Sequence, residues 1–598
     1  MIREERERST AAPAFLPTTP AEMAARGWEA CDVVIATPDA YVDHPSFAMA
    51  LLGRFLEHHG YRVGILTQPR WRDPQSFLVL GLPEIAFVVS GGNVDSMVLN
   101  YTASGKPRKE DQYCEGGNPF FSRPGEGKKY RIRPDRVVTV YASQIGSVCR
   151  GRPLIIGGIE ASLRRIAHYD VWSDAVRRSV LFDAKADLLV YGMGEYPLLE
   201  VVRGLEEGFS PGEMAVPSTA VAGRSLERLD DPVVLPSFAE VKADKRAFAE
   251  AFCTFYRNGD RRVLAQQQDS RYLVQFPRRM LSQKELDAVY DLPFARAPHP
   301  RFRDIPAFLM IRDSITAHRG CFGNCSFCAI AAHQGTEIVS RSEGSVLREV
   351  ARVAAAPGFR GTITDIGGPS ANMYAAFCRT GGCDAPDCLG RGGACPNLVP
   401  GTAAYLRLLD EASAVEGGVR RVFVTSGLRF DPALMDDAFL AAMVERHIYG
   451  QLKVAPESGS DRVLRLMHKP PVAVFDAFRR RFEECTRRRG QKTYLVPYII
   501  VGHPGEGEEE LEETRRFLDA QGLAGRQFQI FTPSPLTRAT AMYYLGYDPC
   551  TGKEVAVEKR MKVLEARKRR LIERDSMPSN PRSPAPSRSA RGGRRPNR

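Results

Sequence analysis

No apolar run in the 598 residues approaches the ~20 needed to cross a bilayer, so a membrane-spanning protein is not expected. The opening residues, Met1-Ile2-Arg3-Glu4-Glu5-Arg6-Glu7-Arg8, lack the apolar core of a secretory signal. Both absences point to the cytoplasm, whose reducing conditions argue against a disulfide framework for the thirteen cysteines. The glycine fingerprint G-x-G-x-x-G is also missing, which weakens any dinucleotide reading of the glycine turns described below.

A chain this long exceeds one core, and two or three domains are expected. Hydrophobic content of 43% with 26% charged residues is ordinary for a globular protein. The net charge of +12 is unevenly placed: Ser576 to Arg598 holds six Arg and no acid. That Pro/Ser/Arg/Gly tail cannot bury a core and is expected to be disordered. It could touch RNA or another polyanion, although a solvated appendage is the plainer reading.

Residues 1–30 read as a loose polar lead. From 31 to 215, short apolar runs alternate with helical spacing: strands near 32–37, 61–66, 85–90, 153–158 and 187–192, with helices at 45–60 and 195–204. The pattern predicts a doubly wound α/β sheet, in which ligands bind where strands end in glycine turns such as Gly157-Gly158 and Gly192-Met193-Gly194. Residues 101–134 interrupt it with a basic insertion expected to be a surface loop. The stretch 216–305 reads as a helical connector with no clear role.

The α/β alternation restarts at about 306 and runs to 550. Strands near 314–317, 361–366, 421–425, 451–455, 493–501 and 527–532 make about six β/α units, a partial (β/α)6 barrel. A basic helix is expected over 551–575. Active sites of such barrels lie at the C-terminal strand ends, where the most informative residues fall.

Seven of the thirteen cysteines lie between Cys321 and Cys395, and the other six are scattered singly. Clustered thiols read as metal ligands and scattered ones as small core hydrophobes. Cys321, Cys325 and Cys328, spaced C-x3-C-x2-C, can hold three corners of an iron–sulfur cluster and leave one iron open. A zinc site is the alternative, with His318 or His333 as fourth ligand. A second group, Cys378, Cys383, Cys388 and Cys395, interrupts the barrel after its second strand. It could hold zinc, a second cluster or nothing; its wide spacings do not assign the ion.

The surrounding residues add a resemblance. Arg319-Gly320-Cys321-x3-Cys325-x-Phe327-Cys328 is similar to the cluster loop of the radical S-adenosylmethionine (radical SAM) enzymes. Three Cys there hold a [4Fe-4S] cluster whose fourth iron chelates SAM. Gly367-Gly368-Pro369 resembles the turn that meets the SAM amino group; Pro369 replaces the usual Glu, so contact would be through backbone carbonyls. Glu457 and Ser458, in Ala455-Pro456-Glu457-Ser458-Gly459-Ser460, resemble the strand-four motif near the ribose and carboxylate. Ile500 and Gly502, in Tyr498-Ile499-Ile500-Val501-Gly502-His503-Pro504-Gly505-Glu506, resemble the strand whose backbone frames the adenine.

A narrower resemblance runs from about residue 15 to 550. Asp43-His44-Pro45-Ser46-Phe47, Gly157-Gly158-Ile159-Glu160-Ala161-Ser162-Leu163-Arg164-Arg165, Asp183-Ala184-Lys185-Ala186-Asp187, Asp365-Ile366-Gly367-Gly368-Pro369-Ser370-Ala371-Asn372-Met373-Tyr374 and the four-cysteine insertion are similar to the YgiQ family of radical SAM proteins. The first sheet resembles the cobalamin-binding domains that precede many radical SAM cores. The Asp-x-His-x-x-Gly motif of base-off binders is absent, so cobalamin held through a His ligand is not expected. Asp43, His44, Glu160, Arg164, Arg165 and His168 form a polar set that could face the radical site or form interdomain salt bridges.

The resemblance implies an enzyme that reductively cleaves SAM to a 5′-deoxyadenosyl radical for hydrogen abstraction from an unknown substrate. It further implies a low-potential electron donor such as flavodoxin or ferredoxin. The competing reading is a non-catalytic, metal-stapled nucleic-acid-binding protein. Basic helices at 479–489 and 559–574 could meet a polyanion or be solvated faces. Phe531-Thr532-Pro533-Ser534-Pro535-Leu536-Thr537 resembles the barrel end of methylthiotransferase-like relatives, which keeps RNA or protein modification in view.

Overall fold

A computed structural model describes residues 15–121, 130–381, 388–389, 394–490, 493–523 and 527–573. The expected Arg-rich tail at 576–598 and Cys383 lie outside them. The N-terminal half is built on nine strands: β1 (Val33–Thr37), β2 (Val63–Thr67), β3 (Ala86–Ser90), β4 (Leu154–Gly157), β5 (Leu188–Val190), β6 (Thr219–Gly223), β7 (Val233–Leu235), β8 (Leu264–Gln268) and β9 (Arg271–Gln275). They lie in the order β7-β8-β9-β6-β5-β4-β3-β1-β2. The five strands β1 to β5 are parallel, in the spatial order 2-1-3-4-5. Every residue of β1, β2 and β3 is buried, the signature of parallel strands covered on both faces. Helix Ala48–His58 covers one face with Met49, Leu51, Phe55 and Leu56.

Three sequence expectations need correction here. The stretch 216–305 is not simply a helical connector: β6 to β9 extend the sheet, joining it through antiparallel pairing of β6 to β5. The lead is ordered from residue 15. Leu16 is fully buried, and Thr19 and Glu22 cap the helix Pro20–Ala24 reciprocally. The insertion at 101–134 is no mere surface loop, because it delivers Arg133 (1% exposed) to Asp39 at 2.7 Å and Asp111 at 2.9 Å.

The C-terminal half carries β10 (Ser314–Thr316), β11 (Thr362–Ile363), β12 (Asp365–Gly367), β13 (Arg421–Val422), β14 (Gln451–Glu457), β15 (Tyr494–Val501) and β16 (Gln527–Ile530). These strands pair in parallel: β10 with β12, β11 with β13, and β14, β15 and β16 in succession. With β11 and β12 forming one interrupted strand, six strands alternate with helices, among them Glu343–Ala354, Thr402–Ser413, Val472–Arg489 and Glu508–Ala520. This is the expected partial barrel.

The basic helices are largely engaged. Arg479 and Arg489 donate to the Gln521 and Val444 carbonyls, and Arg481 pairs with Asp437. The last helix spans only Met561–Ile572 and buries Leu564 and Leu571 against the barrel. Among the described residues, no helix is long and apolar enough to cross a membrane.

Removing Arg133 would leave two buried carboxylates facing each other. Arg133→Met is expected to lower stability by about 3–5 kcal/mol, read as a fall in the denaturant midpoint; an unchanged midpoint would show that the cluster is relaxed by water.

Candidate active site

The cysteine loop is positioned by the residue pair before it. Arg319 leaves the end of β10 and reaches into the N-terminal half, donating to Glu195 at 2.6 Å and lying over the Tyr290 ring. Glu195 opens the helix that follows the Gly192-Met193-Gly194 turn. Gly320 then adopts φ +83°, and a Cβ there would collide with the Glu337 carbonyl oxygen. Only glycine satisfies both demands.

The helix Ala329–Gln334 leaves the loop, and its last carbonyls accept bonds from Arg165 and Arg278. Cations at a helix C-terminus complement its dipole.

Within the loop the three thiols sense one another's charge. Burial pushes Cys321 up, an effect Arg429 opposes and Cys325 reinforces. Cys328 is pushed up to about 12 by burial and then by Cys325. The compensating charge is Arg429, which reaches Cys325 Sγ at 3.6 Å and pairs with Asp431 at 2.8 Å. It presses on Gly323, where any side chain would displace the guanidinium. Asn372 braces it by accepting the Arg429 N–H and donating to its carbonyl. Sequence reasoning misses Arg429, which belongs to no motif, and gives Asn372 no role although it falls in the family-like stretch 365–374.

The remaining expected residues fall into two groups. Phe327 packs with Ile500 beside Val463, Leu464 and Met467, and edge-on to His503. His503 donates from Nδ1 to the Pro504 carbonyl, so its Nε2 accepts from Ser326 at 3.3 Å. Burial holds this imidazole near a pKa of about 4, hence neutral. Glu457 closes β14 in a left-handed conformation, φ +67°, an uncommon state for a non-glycine residue. Burial raises its carboxyl, with Lys469 at 3.9 Å opposing, and its charge is felt at Cys328. Gly502, φ +78°, donates its N–H to Glu506. Ser458 turns away: its hydroxyl meets Thr514 and receives the Ser460 N–H.

Gly367, Gly368 and Pro369 line a different space, a cavity of about 580 Å³ between the halves. Its floor is formed by the ends of β3, β4 and β5 with Met49 and Leu52. Its roof is β10, Arg319, His333 and the glycine turn. His318 sits on Gly368 with neither ring nitrogen hydrogen-bonded, although it is fully buried. Burial drives its pKa down to about 4. His333 bonds instead to Ser162. The two histidines weighed as a fourth zinc ligand therefore face the interdomain side. Among the described residues, no three His, Cys, Asp or Glu converge as a single ion requires. A cluster distributes its thiolates over separate irons, so it tolerates wider spacing.

The second cysteine group lies next to the first: Cys388 and Cys395 pack with Cys321 around Phe322, Leu389 and Leu434. Cys383 lies outside the described residues, and the described members form no metal-binding set. The polar set drawn from the first sheet is mostly structural. Asp43 pairs with Arg54 and Arg164 with Asp95; Glu160 accepts from the Ser96 and Val138 N–H groups; and His168 bonds to the Ile166 carbonyl. Only Arg165 reaches the cluster loop, lining a pocket of about 130 Å³ with Cys325 and Cys328.

The fold and this loop define a radical SAM enzyme, and sequence comparison agrees: residues 15–314 match the Radical SAM N-terminal family and 315–518 the Radical SAM superfamily. The chain belongs to the UPF0313 family, which is the YgiQ family. It is 46% identical over 561 residues to a UPF0313 protein of Geobacter sulfurreducens, covering 91% of this chain and 89% of that one. It is 45% identical over 548 residues to one from Methanocella arvoryzae, covering 90% and 89%. Among solved structures, it is similar in fold to the radical SAM methyltransferase TsrM from Kitasatospora setae with cobalamin and a [4Fe-4S] cluster bound. The TM-score is 0.51 at 14% identity, covering 90% of this chain and 89% of that one. These matches favour the enzyme reading over a metal-stapled nucleic-acid binder.

Gly320→Ala is expected to cut the iron retained after anaerobic reconstitution several-fold while far-UV circular dichroism stays native. Wild-type iron content in that variant would show that the turn does not position the thiols.

Proposed function

We propose that this enzyme binds a [4Fe-4S] cluster through Cys321, Cys325 and Cys328 and leaves the fourth iron to SAM. The observation that carries the proposal is the buried Arg429 guanidinium held 3.6 Å from Cys325 Sγ, within a loop whose thiols feel one another's charge. A fixed cation compensates the negative charge that thiolates and cluster bring into a desolvated site. When bound and reduced, the pair supplies homolytic chemistry: one electron yields methionine and a 5′-deoxyadenosyl radical, which takes hydrogen from the substrate.

The chain's own residues hold and shield. Phe327 and Ile500 wall the adenosyl side, and the Gly502 backbone is fixed by Glu506. The backbone of Gly367-Gly368-Pro369 is assigned to the SAM amino group, and Glu457 to its ribose. Neutral His503, tied to Ser326, presents no acidic proton beside the loop. A flavodoxin- or ferredoxin-like donor supplies the electron.

The test is anaerobic. Reconstituted protein with dithionite and SAM should form 5′-deoxyadenosine, and Cys321→Ala should form none. Equal yields from the two proteins would refute the assignment.

A second reading concerns the cavity. It lies outside the carboxyl ends of β3 to β5, where open α/β sheets bind ligands, and its floor is apolar. We infer cobalamin as its occupant, held without the Asp-x-His-x-x-Gly histidine. Desalted protein should retain hydroxocobalamin with a shifted visible spectrum, and Gly158→Phe should lose it. Complete loss of the pigment from wild type on desalting would end this reading.

A further inference from the structure

The six scattered cysteines are not all isolated. Cys253, on the helix Lys245–Asn258, and Cys550, beyond the helix Arg538–Leu545, stand with sulfurs 3.0 Å apart across 297 residues of sequence. One belongs to the N-terminal half and the other to the end of the barrel. They meet at the margin of a small core containing Phe252, Ala541 and Leu545. Cys253 is buried, while Cys550 is partly exposed.

We propose that Cys253 and Cys550 form a redox-active dithiol, a modification site that reacts with low-molecular-weight disulfides and covalently joins the two halves. The geometry assigns unequal roles. Cys550 is the accessible attacking sulfur, and Cys253 is the resolving sulfur behind it. The charges agree with this order. The hydrogen bond from Cys253 holds Cys550 down to about 7, opposed by burial and by Asp548 and assisted by Arg538 and Arg257. The same hydrogen bond and burial push Cys253 up. A thiol with a pKa near ambient pH is the best attacking group in exchange.

The chemistry balances with the disulfide as oxidant. Cys550 thiolate attacks one sulfur of R–S–S–R, breaking that bond and releasing RS⁻, which takes up a proton. Cys253 then loses its proton and attacks Cys550 Sγ, expelling the second RS⁻. Two protein thiols are oxidised to one disulfide, and R–S–S–R is reduced to two RSH.

The bond would join the supports of the cluster loop. Asn324, between Cys321 and Cys325, donates to Tyr256 Oη at 2.7 Å, one helical turn from Cys253. Its carbonyl accepts from His468 Nδ1, whose Nε2 accepts from Arg538, the partner of Asp548, two residues before Cys550. Oxidation therefore fastens the helix whose Tyr256 grips Asn324 to the segment whose Arg538 and Asp548 brace His468, the other partner of Asn324. The proposal stands on this geometry and is independent of the radical reading.

The experiment uses the whole, iron-reconstituted chain, exposed anaerobically to oxidised glutathione, alkylated, digested and mapped by mass spectrometry without reduction. A joined Cys253–Cys550 peptide is expected. Cys253→Ala should instead accumulate Cys550 as a glutathione mixed disulfide. Iodoacetamide labelling of Cys550 should have its pH midpoint near 7 in wild type and rise by about one unit or more in Cys253→Ala, toward an ordinary thiol. The proposal is overturned if wild type yields no joined peptide, or if the labelling midpoint is the same in both proteins.

Discussion

The ion pair between Arg319 and Glu195 spans the two halves of the molecule at the residue where the barrel's first strand becomes the cysteine loop. Both partners are almost fully buried, so separating them would strand two charges in a desolvated interface. That constraint fixes where the loop begins, and the Gly320 turn fixes its direction. Arg165 and Arg278 then receive the helix that leaves the loop. The sheet thus holds the loop at both ends, and the reactive site belongs to neither half alone.

Electrostatics inside the site follow one pattern. The cation that touches a loop thiol is the fixed guanidinium of Arg429, and the nearby imidazoles of His318 and His503 are held neutral by burial. A desolvated cluster of thiolates needs a cation that cannot lose its proton, and Arg meets that need where His or Lys would not. His468 serves as a hydrogen-bond relay between Arg538 and Asn324.

Much of this was legible before any coordinates. The fully buried strands β1 to β3 advertise themselves as unbroken runs of apolar residues, and C-x3-C-x2-C is a local pattern that needs no fold to be read. The parts that stayed hidden share a cause: their logic is long-range. Strands β8 and β9 contain Gln266, Gln268 and Gln275, buried because they bond to the Ala167 and Ser179 N–H groups and to Arg165, partners about ninety residues or more away. Such strands look polar in isolation. Arg133 reads as a surface charge until Asp39 and Asp111 are placed around it. Arg429 carries no spacing signal, and Cys253 finds Cys550 only when the two halves close. Several barrel strands are two or three residues long, too short for any periodicity.

The interdomain cavity has a consequence for how such enzymes diversify. Its floor comes from the sheet and its roof from the barrel, and the two family matches divide at residue 314. The two walls of the cavity are therefore written on separable stretches of chain. Remodelling Met49, Leu52 or the strand-end glycines reshapes what the chamber admits without touching a single sulfur. A conserved barrel wall can in this way stand above many different floors.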